Sequence, residues 1–378
     1  MDKETLSHYG WIVIISLVLT VMIALATPFG KFVGQAVSNT VRGFAGTAQT
    51  KFDGSDFDAD QFELDYNKDK QEWEDAKNGI VKREVGSVIP DGATYTPNGG
   101  TALVGNGTNT FPNTPQTGDT YEEGDYTYKY NYYYYDSSWY SNTSQNGWGV
   151  RVKNTTKVTY GVIISEIAGQ PVNTMSYTFY NCTSLTTAPA IPNSITDMYY
   201  TFKNCASLTT APTIPNGVTS MSGTFHSCSS LKTYVGSTDA DGDFSNYIIP
   251  NSVTYMSNTF AYCTSLTTSP DMSNANSVTN MFQTFRNCTS LTTAPTIPSS
   301  VIDMDSTFRD CTSLSTAPAI PNSVTNMLST FNGCTSLTGT IEVNANPIDY
   351  SNCLKSTQIT SITGSCSQET KDALIATK

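Results

Sequence analysis

The stretch Met175-Ser-Tyr-Thr-Phe179-Tyr-Asn-Cys182-Thr-Ser-Leu185-Thr-Thr-Ala-Pro189-Ala-Ile191-Pro192-Asn-Ser-Ile195 begins again at Met198. The register returns at Met221, Met256, Met281, Met304 and Met327, and each methionine is followed seven residues later by a cysteine, from Cys182 to Cys334. Most steps are 23 residues long. Self-similarity at such a period marks a solenoid, whose units stack and bury one continuous core. A single unit has too few apolar side chains to offset the entropy of ordering its backbone, so the units are stable only together.

Prolines limit where regular strand can run. Pro189 and Pro192 recur as Pro212 and Pro215, Pro295 and Pro298, and Pro318 and Pro321, and a proline donates no ladder hydrogen bond. The pattern predicts a short strand per unit, starting near Leu185 and ending at the first proline. The Thr-Phe-x-x-Cys segment predicts a helical turn on the opposite side. Each rung of the expected leucine-rich-repeat-like solenoid is thus a short strand plus a helical turn.

The run Phe-x-x-Cys-x-x-Leu, followed by Ile-Pro-x-x-Val/Ile-x-x-Met, is carried in the first unit by Phe179, Cys182, Leu185, Ile191, Pro192, Ile195 and Met198. It resembles the unit of BspA-like leucine-rich repeat bacterial surface proteins, over every unit from residue 175 to about 340. The resemblance implies a solenoid displayed at the cell surface, in a family associated with adhesion to host proteins or other cells. Ala188-Pro189 stands where that family more commonly has a second large aliphatic residue, which implies a narrower or broken concave sheet.

Two units are irregular. Met221 to Met256 spans 35 residues because a segment rich in acids and glycine is inserted after Leu231. Asp239, Asp241 and Asp243 alternate there like calcium-loop ligands. Gly242 is misplaced for such a loop, however, and Pro250 stands where its closing glutamate belongs, so a solvated acidic loop is the better reading. Met256 to Met281 is two residues longer than the norm and lacks the Ile-Pro pair. The nine cysteines all lie in or just after the repeats. One per rung beside Phe and Leu favours buried free thiols, although same-column cysteines in adjacent rungs would be close enough to pair.

In-register residues read as core, so specificity belongs to what varies. The residue after each phenylalanine is Tyr180, Lys203, His226, Ala261, Arg286, Arg309 and Asn332 in turn. Tyr180, Lys203, His226, Arg286 and Arg309, together with Tyr234, Asp239, Asp241 and Asp243 of the insertion, are the candidate ligand-binding residues. No catalytic residue, metal ligand or cofactor is assigned. The chain has two histidines, His8 and His226, and no Gly-x-Ser-x-Gly elbow or phosphate-cradling loop. Paired carboxylates in the module before the repeats are the one route left open to a hydrolase. The expected reading is a non-enzymatic binding protein with an extracellular protein or glycan as partner.

The N-terminus holds a second strong signal. Trp11 to Ala26 is uncharged and apolar, and with the next few residues it nears the ~20 needed to span a bilayer. It reads as a single-pass anchor in preference to a signal peptide, although Ala24-Leu25-Ala26 resembles a cleavage site. Phe29, Phe32, Val33, Val37, Val41 and Phe44 continue at helical spacing, which makes a pilin-like subunit polymerising through this helix the alternative. Residues 1–47 are then the anchor and its amphipathic extension, and 48–107 an acidic stalk and a Gly/Pro/Asn-rich linker. Residues 108–170 form a tyrosine-rich antiparallel β module and N-terminal cap, 171–340 a seven-unit leucine-rich-repeat-like solenoid, and 341–378 a C-terminal cap. A net charge of −12 disfavours nucleic acid.

Overall fold

In a computed structural model the chain is described over residues 81–234, 244 and 246–378. The N-terminal helix, most of the acidic stalk, and Asp239, Asp241 and Asp243 lie outside the described residues. Among those described, no helix is long and apolar enough to cross a membrane. The chain there is mostly β and turn, with a single α-helix among the described residues.

The units lie side by side in parallel register. Thr174, Asp197, Ser220, Tyr255, Asn280, Asp303, Asn326 and Asp349, each just before a unit's first position, pair successively in one ladder. A second, interrupted ladder includes Thr187 with Thr210, and Thr268 with Thr293 and Thr316. Between Thr210 and Thr233 it lengthens to two residues, β11 (Thr210–Ala211) on β12 (Thr233–Tyr234). The expected strand is thus mostly single bridges. Leu185 donates back to the Cys182 carbonyl in a turn, and Pro189 stops pairing two residues after Thr187.

The expected helical turn is also corrected. From Met175 to Cys182 the N–H groups alternate between two uses. Those of Met175, Tyr177, Phe179 and Asn181 donate to Asp197, Tyr199, Thr201 and Lys203 of the next unit, all at 2.9 Å. Those of Thr178, Tyr180 and Cys182 close turns on the carbonyl three residues back. A helix is precluded because the third and seventh residues of each unit have positive φ, as at Tyr177 and Asn181, Tyr200 and Asn204, and Gln283 and Asn287. Such backbone breaks an i→i−4 series and turns alternate peptide groups toward the neighbour.

Four columns are thereby held inside. Every Met, Thr, Phe and Cys of the arc is buried, from Met175, Thr178, Phe179 and Cys182 to Met327, Thr330, Phe331 and Cys334. The phenylalanine rings stack with centroids 5.1–5.6 Å apart and planes within 15° of parallel. From Thr201 to Thr330 each threonine hydroxyl donates to the methionine carbonyl of the preceding unit at 2.9–3.0 Å. The cysteines from Cys205 to Cys334 place Sγ 3.0–3.1 Å from the preceding unit's phenylalanine carbonyl. All nine cysteines are free thiols, and burial pushes Cys182 up to about 11 and Cys334 to about 12.

Both ends of the stack are covered. At the N-terminal end, β8 (Trp148–Val152) pairs in parallel with β10 (Gln170–Thr174), and the Thr178 hydroxyl donates to the Val150 carbonyl at 2.7 Å. β8 therefore stands where a preceding unit would. It belongs to an eight-stranded sheet with β1 (Lys82–Arg83), β2 (Thr94–Thr96), β3 (Leu103–Val104), β4 (Thr120–Glu123), β5 (Tyr126–Tyr130) and β9 (Glu166–Ile167), in the order β1-β9-β10-β8-β5-β4-β2-β3. Strands therefore begin inside the stretch whose composition reads as linker, because Ile89, Ala93, Tyr95 and Phe111 are buried in the module core. A separate hairpin, β6 (Tyr132–Tyr135) with β7 (Ser138–Ser141), projects between β5 and β8 in sequence.

At the other end an eighth arc follows the seventh. Ser351, Cys353 and Lys355 accept from Ser329, Phe331 and Gly333 as a further unit would, and Asn352 and Ser356 take the two positive-φ positions. Tyr350 replaces the methionine, Cys353 the threonine and Leu354 the phenylalanine, so this arc is invisible to the Met-x6-Cys register. β13 (Thr338–Glu342) and β14 (Gln358–Thr363) then pair in parallel, and helix α1 (Gln368–Ile375), capped by Ser367, buries Leu374 at the edge.

Phe285 sits mid-stack with a ring on either side. Phe285→Ala is expected to lower stability by about 3–5 kcal/mol, read from urea unfolding of the full chain; a loss under 1 kcal/mol would refute the stacked core. For the thiols, an aromatic disulfide reagent should find little reactivity in the native protein and nine equivalents after unfolding without reductant. Fewer than nine would reveal bonded pairs.

Candidate functional site

The side chains that change from unit to unit meet on the arc surface. Lys203 Nζ stands 5.8 Å from the centre of the Tyr180 ring and 4.5 Å from that of Tyr200. His226 lies 6.1 Å from Tyr200 and 5.4 Å from Tyr262, ring to ring. Arg286 Cζ comes 5.8 Å from Tyr262. Tyr180, Lys203, His226 and Arg286 are thus joined through intervening tyrosines into one stripe running along the stack. Arg309 follows in the same column, its Nε 3.4 Å from Asp310 Oδ2.

The stripe depends on the left-handed positions. Tyr177, Tyr200 and Tyr262 all have positive φ, and residues in the other units at these places are mostly Asn, Asp, Ser, Gln or Gly. Short polar residues and glycine accept that backbone best. Gly223 makes room for its neighbour: a Cβ there would lie 2.2 Å from the Tyr200 ring. The tyrosines Tyr177, Tyr199 and Tyr200 pack on one another, with Tyr199 and Tyr200 centroids 4.6 Å apart, and Tyr135 of β6 reaches across to Tyr177 at 5.0 Å. These tyrosines were not among the expected site residues. Their signal in the sequence is aromatic residues at places where other units carry small polar ones.

The insertion behaves differently. Tyr234 packs on Phe244 and Tyr247 at 5.9 and 5.5 Å, and no contact joins it to the stripe among the described residues. Phe244 is fully buried and its N–H donates to the Thr268 hydroxyl. The base of the insertion is therefore anchored in the core, and Tyr234 belongs to that anchor.

Electrostatics single out His226. Burial pushes it down to about 4, with Lys203 and Arg286 adding to the shift. It is therefore neutral at physiological pH, and its Nδ1 lies 2.9 Å from the Ser227 hydroxyl. In the β module the carboxylates are tied into structure. Arg83 holds Glu123 through two bonds of 2.8 and 2.5 Å, and the Tyr121 hydroxyl also donates to it. Burial opposes ionisation of Glu123, but these donors outweigh it and keep its carboxyl below the usual range. Asp119 accepts from the Tyr95 hydroxyl and from the N–H groups of Asn98 and Gln116. No group of three or more potential metal ligands occurs among the described residues.

Comparison with known proteins adds the following. The family described as "Mycoplasma protein of unknown function, DUF285" matches residues 196–320 and 254–363, two overlapping passes over the repeats. No curated protein matches significantly. Among solved structures, the chain is similar to a T. pallidum leucine-rich repeat protein at 20% identity and TM-score 0.35, covering 62% of this chain and 90% of that one. A leucine-rich repeat protein from Bacteroides ovatus matches at 18% and 0.28, covering 64% and 78%. A leucine-rich cell surface protein from Faecalibacterium prausnitzii matches at 18% and 0.20, covering 69% and 98%. These neighbours are leucine-rich repeat proteins, as the sequence resemblance implies, and none is described as BspA-like. At such scores the fold rests on the chain's own ladders.

His226 offers a direct check. In a His8→Gln variant its ring proton resonance should titrate with a midpoint near 4. An ordinary histidine titrates at about 6.5, so the unfolded chain takes up a proton that the folded one refuses. Stability should therefore fall as pH drops from about 6.5 toward about 4. A midpoint near the ordinary value would contradict the packing of His226 beside Lys203 and Arg286.

Proposed function

We propose that this is a bacterial cell-surface protein that binds an extracellular protein or glycan along the arc stripe. The observation that carries the reading is the division of labour within each unit. Met, Thr, Phe and Cys repeat and are buried, while the position after Phe varies among Tyr, Lys, His, Ala, Arg and Asn yet stays in line with its neighbours. A frame that holds dissimilar side chains in a row suits recognition, where a few aromatic and arginine anchors carry most of the affinity. Lys203 and Arg286 lie over tyrosine faces, which fixes them before any partner arrives.

The chain acts by binding and not by catalysis. Supporting this, Glu123 and Asp119 are bound into hydrogen-bond networks that hold the sheet together, and burial lifts Cys182 away from the thiolate. The apolar stretch Trp11 to Ala26 serves as a single-pass anchor, with the repeats outside the cell.

The full chain should capture one or more members of a panel of host matrix proteins and acidic glycans, the ligands that suit a stripe carrying Lys203 and Arg286. Exchanging Lys203 and Arg286 together for alanine should weaken that capture at least tenfold, about 1.4 kcal/mol, at an unchanged melting temperature. Capture of those proteins and acidic glycans that survives both exchanges would refute the stripe as their site, and recovery of the native protein in filaments without any ligand would displace this reading in favour of a pilin-like subunit.

A further inference from the structure

The tyrosine-rich hairpin is unexplained by the core. Tyr132 to Tyr135, Trp139 and Tyr140 are all absent from the buried set, and Tyr135 and Tyr140 are 40% and 46% exposed. β6 and β7 pair only with each other and stand outside the eight-stranded sheet. Beside this hairpin, where the chain passes into the first repeats, a cleft of about 420 Å³ opens. That size falls in the range of small-ligand clefts, roughly 300–1,000 Å³. Its wall includes Tyr133, Asn142, Gln145, Asn173, Asp197 and Tyr199. Tyr180, Lys203, His226 and Arg286 take no part in it.

The wall is ordered before any ligand arrives. Gln145 Nε2 donates to Asn173 Oδ1 at 2.8 Å, and Asn173 Nδ2 donates to the Gln145 carbonyl at 2.9 Å. Asp197 accepts from the Thr174 hydroxyl at 2.9 Å, the Ser176 hydroxyl at 2.5 Å and the Tyr199 N–H at 3.1 Å. A carboxylate has about four acceptor sites, so one remains for a ligand hydroxyl. Tyr133 stacks on Tyr140 with centroids 5.9 Å apart, and Tyr199 on Tyr135 at 6.4 Å and 12°. A site built this way spends little affinity on ordering itself.

The chemistry of the wall selects its ligand. No lysine or arginine lines it and Asp197 does, so an anion meets repulsion with nothing to neutralise it. An apolar ligand would strip water from the amides and the carboxylate and return no hydrogen bond. A neutral molecule rich in hydroxyls, which donate and accept, and carrying an apolar face to lie on a tyrosine ring satisfies both kinds of surface. We propose that the cleft between the β6–β7 hairpin and the first two repeats binds a neutral saccharide.

The test is an array of neutral glycans ending in glucose, galactose, mannose or N-acetylglucosamine, printed beside sialylated and sulfated ones and probed with the full chain. Neutral glycans should be captured, and Tyr133→Ala and Asn142→Ala should each weaken capture at least tenfold. Asn142 is exposed, so its exchange leaves the fold intact, and an unchanged melting temperature verifies this for both. Lys203→Ala with Arg286→Ala should leave neutral-glycan capture as it was. Capture of no neutral glycan, capture of acidic glycans only, or capture indifferent to both cleft exchanges overturns the proposal. Loss through the Lys203 and Arg286 exchanges alone would overturn it too, while leaving the stripe's role standing.

Discussion

Everything in the repeat region depends on hydrogen bonds that leave one unit for the next from alternate residues of the arc. The N–H groups of Met175, Tyr177, Phe179 and Asn181 reach forward while those between them fold back. Two positive-φ residues per unit make that alternation possible, at a conformational cost of about 1–2 kcal/mol for each side chain with a Cβ. Neighbouring units offset that cost, and a solitary unit has none. The same geometry turns Met, Thr, Phe and Cys inward together, so backbone pairing and core packing are one event.

The inward polar atoms follow from this. The carbonyls at the Met and Phe positions each accept one N–H from their own turn, which leaves a second acceptor site of each facing the core. The threonine hydroxyl and the cysteine thiol of the following unit meet them. Cysteine is thus placed as a small hydrophobe with a donor. A disulfide within the column would remove those donors, which gives a physical reason for the free state of the thiols from Cys205 to Cys334.

The period, the Met, Phe, Cys and Leu columns, and strands β5 and β8 were legible in the sequence, because each is written as a spacing of apolar residues. The left-handed positions were not, since Asn181, Asn204 and Asn287 read equally well as ordinary surface residues. The eighth arc was hidden by single exchanges at Tyr350, Cys353 and Leu354, which keep the backbone pattern while erasing its letters. Residues 82–104 carry so much glycine and proline that their strands are masked by turn composition, although Tyr95 and Ile89 are core. Of the candidate residues, Tyr180, Lys203, His226 and Arg286 come together, and Tyr234 turns away to brace the insertion. The cleft joins Tyr133 to Asp197 across a distance in sequence that periodicity does not address.

The twelve extra residues after Leu231 leave both neighbours of that unit in place. The Thr254 N–H still bonds the Thr219 carbonyl, and the Thr259 hydroxyl still finds that of Met221. The two residues added before Met281 are absorbed in the same manner, with Cys288 on Phe260. One side of the coil therefore accommodates changes in length and the other only changes in side chain. Such a molecule has two separate routes to novelty: it can sprout new loops along one edge without disturbing the row of residues on the other, and each route can be explored by mutation while the other is held still.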